Sequence, residues 1–160
     1  MRIAILVASD KGSRGERRDE SGKVIAEMMK RLRAQVVAYD IVPDDKIIIA
    51  KKLKHYSDKL KADIALTTGG TGLGPRDVTP EATLAVVDRD VPGLAEYMRR
   101  EGLKKTRRSI LSRGICGMRK NTLIINLPGS PKGVEESLDL IIDLIPHAIH
   151  MIAGHGHGKS

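Results

Sequence analysis

The sequence predicts an α/β fold: a three-layer sandwich with a mostly parallel central sheet and helices on both faces. Two observations carry this expectation. Short apolar runs alternate with segments whose apolar residues recur at helical spacing, the order that winds a parallel sheet. The polar and glycine-rich motifs all fall just after the apolar runs, where the carboxyl ends of parallel strands place ligands.

The elements follow in order. Arg2 to Ala8 is an apolar run suited to a buried strand, and Ser9 to Ser21 a polar loop with Gly12 and Gly15. Ser21 to Arg33 places Val24, Ile25, Met28, Met29 and Leu32 on one helical face. Val36 to Val42 is a second strand, ended by Pro43-Asp44-Asp45. Lys46 to Leu60 is a second helix with Ile49, Leu53, Tyr56 and Leu60 as its stripe. Asp63 to Thr68 is a third strand that runs into Gly69-Gly70-Thr71-Gly72. Thr79-Pro80 opens a helix, with Thr79 as the cap and Pro80 in the first helical position. Pro92 to Arg100 is another short helix, and Leu123 to Leu127 a late strand before Pro128-Gly129-Ser130-Pro131. A long helix starts at Gly133 with Leu138, Ile141, Ile145, Ile149 and Ile152 inward, bent or broken by Pro146.

With 160 residues the chain fits one domain, expected over residues 1–153, followed by a flexible Gly/His tail at 154–160. There is no Trp or Phe and only three Tyr, so Ile, Leu, Val, Met and Ala must fill the core. The single cysteine, Cys116, excludes an internal disulfide and a cysteine metal cluster; it reads as a small buried side chain and fits a reducing compartment such as the cytoplasm. The first apolar run is too short to span a membrane. A net charge of +8 favours anionic partners. Nucleic acid is argued against, since the chain shows no aromatic platform, helix-turn-helix signal or zinc pattern.

The run Thr67-Thr68-Gly69-Gly70-Thr71-Gly72-Leu73-Gly74-Pro75-Arg76-Asp77 is the first motif with chemical content. Glycines let backbone amides approach an anion closely, and Thr68 and Thr71 add hydroxyls. The run is neither a Walker loop nor a dinucleotide fingerprint. Asp77, just before a helix start, is either a local cap or a magnesium ligand. A second carboxylate comes from Asp44 or Asp45 at the end of the second strand, matching magnesium's habit of taking one or two carboxylates plus substrate phosphates. Arg76 is placed to steer a phosphate or to pair with Glu81. Ser130 is placed to bind a ligand or to cap the helix after it. Lys132 stands at that helix opening. His147 and His150 suit surface or interface positions better than a metal site.

Taken together, Thr67 to Ala82 resembles the signature of the MogA/MoaB family of molybdenum-cofactor biosynthesis proteins, which includes the plant Cnx and gephyrin G domains. Ser9-Asp10 with Asp19-x-Ser21-Gly22 resembles its first loop. Val42-Pro43-Asp44-Asp45 resembles its second-strand end. Ile110 to Arg113 and Met118 to Lys120 resemble its middle segment, and Asn126 to Gly133 its late loop. The resemblance implies adenylyl transfer from Mg²⁺-ATP to molybdopterin, with Asp44 and Asp77 as the catalytic, magnesium-holding pair. It implies substrate and nucleotide contacts at Ser9, Asp10, Thr68, Gly69, Gly70, Thr71, Gly72, Arg76, Pro128, Gly129 and Ser130. It also implies a homotrimer or homohexamer and a molybdenum-insertion enzyme acting afterwards. A binding-only protein of the MoaB type is the alternative.

Overall fold

The computed structural model describes residues 1–154. A six-stranded sheet runs in the order β2-β1-β3-β6-β5-β4. Its strands are β1 (Arg2–Ala8), β2 (Gln35–Val42), β3 (Ile64–Thr68), β4 (Arg89–Asp90), β5 (Cys116–Arg119) and β6 (Thr122–Leu127). The first four in that order are mutually parallel; β5 pairs antiparallel with β6, and β4 pairs antiparallel with β5 at the edge. The mostly parallel three-layer expectation therefore holds. The helices are α1 (Asp10–Ser13), α2 (Ser21–Met29), α3 (Lys46–Asp58), α4 (Thr79–Leu84), α5 (Pro92–Gly102), α6 (Pro131–Ile141) and α7 (Ile145–Ile152).

Alternation along β1 separates two cores. Ile3, Ile5 and Val7 point to one face, against Ile25 and Met29 of α2, Ala95 and Met98 of α5, and Val134, Leu138 and Ile141 of α6. Ala4, Leu6 and Ala8 point to the other, against Ile49, Leu53 and Tyr56 of α3 and Ala82 of α4. Alanines at 4, 8, 65 and 82 bring the second layer of helices close to the sheet, and Tyr56 fills the volume that remains. Its hydroxyl donates to Asp40 Oδ2 at 2.6 Å, so the one fully buried aromatic has its polar tip satisfied.

Three expectations need correction. Thr79 is not the cap of α4: Val78 occupies that position, and the Thr79 hydroxyl instead donates to the Gly69 carbonyl at 2.9 Å. The long final helix opens at Pro131 rather than Gly133, and of the bend or break expected at Pro146 the structure shows the break. Pro146 sits in the first turn of α7 and has no amide hydrogen to continue the ladder from α6, and Ile149 and Ile152 are only partly buried. No strand was expected between Arg100 and Leu123, yet β5 forms a hairpin with β6 and carries β4 on its outer edge. Of the Gly/His tail only Gly154 is described, in a turn at φ 80°; His155 and His157 lie outside the described residues. Among the described residues no helix is long and apolar enough to cross a membrane.

Cys116 is 2% exposed in the first core, and burial pushes its thiol up to about 12. Alkylation of the native protein by iodoacetamide is expected to proceed only at the rate of unfolding. A rapid native phase, measured by intact mass, contradicts that packing.

Candidate functional site

The parallel strands β1, β2, β3 and β6 end on one edge at Ala8, Val42, Thr68 and Leu127, and their loops are stitched to one another. The Ser9 amide donates to the Val42 carbonyl at 2.9 Å. The Thr68 hydroxyl donates to the Pro128 carbonyl at 2.6 Å, and the Ser21 hydroxyl to the Gly129 carbonyl at 2.7 Å. Gly129 lies so close to the third-strand loop that a Cβ on it would sit 3.4 Å from Gly69 Cα. Gly69 itself has φ +91°, and any Cβ there would collide with the carbonyl oxygen of Ala8. A side chain is thus excluded at Gly69, which leaves backbone facing the space between the loops there.

That space is a cleft of about 440 Å³. Its lining includes Ser9, Thr68, Gly69, Gly70, Gly129 and Ser130, together with both Asp44 and Asp77. The two carboxylates expected to act together, on loops 33 residues apart in sequence, therefore share one cleft. Thr71, Gly72 and Pro128 line a second, larger groove of about 900 Å³ between the glycine loop, α5 and α6; Ser130 lines both. This groove has apolar residues Ala95, Met98 and Leu140, and its charged lining is mixed, with Arg99, Lys105 and Arg108 near Glu101 and with Glu135, Glu136 and Asp139 along α6.

Asp45 does not compete with Asp44. Its Oδ1 accepts from the amides of Ile47 and Ile48 at 2.9 and 3.0 Å, capping α3. Asp44 faces the cleft instead and is locked to Asp10 by a reciprocal pair: the Asp10 amide donates to Asp44 Oδ2 at 2.9 Å, and the Asp44 amide donates to Asp10 Oδ1 at 3.0 Å. Burial raises the Asp44 carboxyl above the usual aspartate range, and the charges of Asp10 and Asp77 add to the rise. Asp77 closes its own turn, accepting from the Gly74 amide on Oδ2 at 2.8 Å. The remaining oxygen of each cleft carboxylate has no hydrogen-bond partner among the described residues.

Asp10 and Arg76 do not line the cleft. Arg76 grips Asp10 with Nε and Nη2 at 3.0 and 2.9 Å, and this bond holds the Asp10 carboxyl below its ordinary range. Of the two readings of Arg76, the pairing with Glu81 is not formed: Arg113 takes Glu81. Ser130 caps α6, accepting from the Gly133 amide at 3.1 Å, while also lining both cavities. Lys132 is exposed at the larger groove, 3.9 Å from Glu136.

Arg113 was not foreseen as a site residue. Its Nε donates to the Gly72 carbonyl and its Nη2 to the Asp77 carbonyl, both at 2.7 Å, while its own amide donates to the Thr71 carbonyl at 2.8 Å. With the Glu81 ion pair added, it clamps both ends of the glycine loop. Carbonyl contacts of this kind leave no side-chain pattern in a sequence. Arg113→Gln is expected to cost roughly 1–3 kcal/mol in denaturant unfolding, since it strands carbonyls and a half-exposed carboxylate. An unchanged midpoint contradicts the clamp.

The site fits a magnesium ion through the chemistry of its donors. Among the described residues no group of three or more His, Cys, Asp or Glu side chains is placed to hold a metal. The cleft offers a pair of carboxylate oxygens without partners, one raised in pKa by burial and like charge. A hard cation that completes its shell with phosphate and water suits such a pair.

A family model described as "Probable molybdopterin binding domain" matches residues 4–147. The chain is 42% identical over 155 residues to the Helicobacter pylori (strain J99) protein named molybdopterin adenylyltransferase, covering 96% of this chain and 88% of that one. It is 43% identical over 151 residues, 94% of its length, to the molybdenum cofactor synthesis protein cinnamon of Drosophila melanogaster, and spans 25% of that longer protein. It superposes on the crystal structure of the molybdopterin biosynthesis enzyme MoaB from Thermus thermophilus with a TM-score of 0.91 and 51% identity, over 96% of each chain. From its motifs, its fold and these likenesses, the chain belongs to the MogA/MoaB family of molybdenum-cofactor biosynthesis proteins.

Proposed function

We propose that this chain transfers the adenylyl group of Mg²⁺-ATP to molybdopterin, giving adenylyl-molybdopterin and pyrophosphate. The observation that supports it most is the convergence of Asp44 and Asp77 in one cleft with the Gly69-Gly70 backbone, in a chain whose relatives include proteins named for that activity. A terminal phosphate oxygen of molybdopterin bonds to the α-phosphorus of ATP. The bond from that phosphorus to the bridging oxygen breaks, and its electron pair leaves with pyrophosphate. Magnesium, when bound, neutralises the phosphate oxygens and takes up charge developing on the leaving group.

The chain's own residues position and bind. Asp44 and Asp77 would hold the cation, Asp44 fixed by its reciprocal bonds to Asp10 and Asp77 by the turn that Gly74 closes. The backbone of Gly69 and Gly70 cradles phosphate in the cleft, with Thr68 beside it, while Thr71 and Gly72 face the larger groove. The phosphate nucleophile is ionised at neutral pH, so the cleft needs no strong base, and among the described residues no histidine lines it. The larger groove, with apolar Ala95, Met98 and Leu140 and with Arg99, Lys105 and Arg108 in its lining, suits a pterin ring and its phosphate, and Ser130 lies where the two cavities meet. Residues 1–153 act as one domain in a cytoplasmic homotrimer or homohexamer, and the product passes to a molybdenum-insertion enzyme. Light scattering decides the oligomer.

Incubation with molybdopterin, ATP labelled at the α-phosphate and magnesium tests the activity. Label is expected in the pterin product, with one pyrophosphate released per transfer. Pterin binding without label transfer assigns the chain to the binding-only alternative.

A further inference from the structure

The loop between α1 and α2 carries Arg17-Arg18-Asp19. All three line the cleft that holds Asp44 and Asp77. Among the lining residues described, Arg17 and Arg18 are the only cations, against Asp19, Glu20, Asp44 and Asp77. The nearby arginines are engaged elsewhere: Arg14 with Glu16, Arg76 with Asp10 and Arg113 with Glu81. Arg17 and Arg18 have no ion pair or hydrogen-bond partner among the described residues. Two guanidinium groups are thus left over at the one cavity whose expected ligand is a polyphosphate.

Their loop is tethered. The Tyr39 hydroxyl, from edge strand β2, donates to Asp19 Oδ2, and the Gly22 amide donates to Asp19 Oδ1 at 2.8 Å. A Cβ on residue 22 would strike both the Tyr39 hydroxyl and the Asp19 carboxylate, so Gly22 is what lets this latch close at the start of α2. The next hydroxyl, Ser21, reaches the Gly129 carbonyl on the far loop. Burial and the Asp19 charge raise the Tyr39 hydroxyl far above neutral pH, so it remains a donor. Asp19 is therefore spent on the latch, which leaves the two arginines beside it as the loop's contribution to the cleft.

We propose that Arg17 and Arg18 form an anion-binding arm for the β- and γ-phosphates of the nucleotide, held in place by the Asp19–Tyr39 latch. This rests on the reading that adenylyl transfer takes place in this cleft. As the bond at the α-phosphorus breaks, negative charge accumulates on the departing pyrophosphate, at the end of the chain that the metal-binding carboxylates would otherwise repel. Guanidinium forks suit that group because they bind phosphate oxygens in pairs.

The test compares wild type, Arg17→Gln/Arg18→Gln and Tyr39→Phe. It measures magnesium-pyrophosphate binding by calorimetry without pterin, and the KM values for ATP and molybdopterin by label transfer. For the double variant the pyrophosphate Kd and the ATP KM are expected to rise roughly 10–100-fold while the molybdopterin KM stays within about twofold. Tyr39→Phe is expected to shift the same two quantities in the same direction by a smaller factor. Thermal melting checks that each variant folds; the arginines are exposed, so their loss leaves the core intact. An unchanged pyrophosphate Kd in a folded double variant overturns the arm, and an unchanged value in Tyr39→Phe overturns the latch. If wild type transfers no label yet binds pyrophosphate through Arg17 and Arg18, the transferase reading fails and the arm stands.

Discussion

Asp77→Asn and Asp44→Asn are each expected to lower adenylyl transfer by at least ~10²–10³-fold, the usual cost of deleting a group aimed at charge that develops in a transition state. The physical reason is geometric. The two side chains come from separate loops of a parallel sheet and meet in one cleft, where each has one oxygen tied to a backbone amide and the other without a partner among the described residues. Asparagine keeps the shape and most of the tying bonds but removes the charge that a cation needs. Molybdopterin binding is expected to be preserved, because the larger groove that suits the pterin does not include either aspartate in its lining. Single-turnover label transfer and a separate pterin-binding titration distinguish the two steps. Turnover within about threefold of wild type in a folded Asp77→Asn variant removes this residue from the chemistry. Asp45→Asn is the internal contrast: as the cap of α3 it is expected to cost about 1 kcal/mol of stability or less and little activity.

Gly69→Ala is expected to have the largest effect on folding of any single methyl added to the site. The residue has φ +91°, where side chains are strained, and the new Cβ meets the backbone carbonyl of Ala8, which is held in β1, a strand paired on both sides. The cost is ~2–5 kcal/mol, or a fall in Tm of roughly 5–15 °C for a domain of this size. Gly93→Ala provides the control. Gly93 lies in α5 with nothing within 4 Å of the added carbon, so the substitution is expected to stabilise by about 0.4–1 kcal/mol. A Gly69→Ala protein that melts with wild type means that the loop is not packed as described.

Four strands were legible because each is an apolar run long enough to read without its neighbours: Arg2 to Ala8, Val36 to Val42, Asp63 to Thr68 and Leu123 to Leu127. β5 was not. Cys116-Gly117-Met118-Arg119 is short and contains a glycine and an arginine, and it becomes a strand by pairing with β6. β4 has two residues and owes its state to β5. Thr79 misled for a local reason: Thr-Pro is a good helix opening, but here the hydroxyl is drawn to Gly69, a contact ten residues away that binds the loop to the helix. Asp44 and Asp45 looked alike in the sequence, yet capping separates them, since the residue directly before Lys46 is the one placed to receive the first helical amides. Arg113 lies 36 residues from Asp77 and binds main-chain oxygens, so nothing in local spacing marks it. The tight polar chain of Asn126, Thr67 and Thr83, in which the Asn126 amide donates to both hydroxyls at 3.0 Å, was hidden for the same reason.

The central claim is that one divalent cation is shared by Asp44 and Asp77. Soaking crystals with manganese and a non-hydrolysable ATP analogue, then locating the metal by anomalous scattering, tests it most directly. The expected result is a single peak about 2.0–2.2 Å from one carboxylate oxygen of each aspartate and from phosphate oxygens, in octahedral arrangement. A nucleotide-bound peak that touches neither carboxylate, with the cleft residues otherwise in place, contradicts the claim.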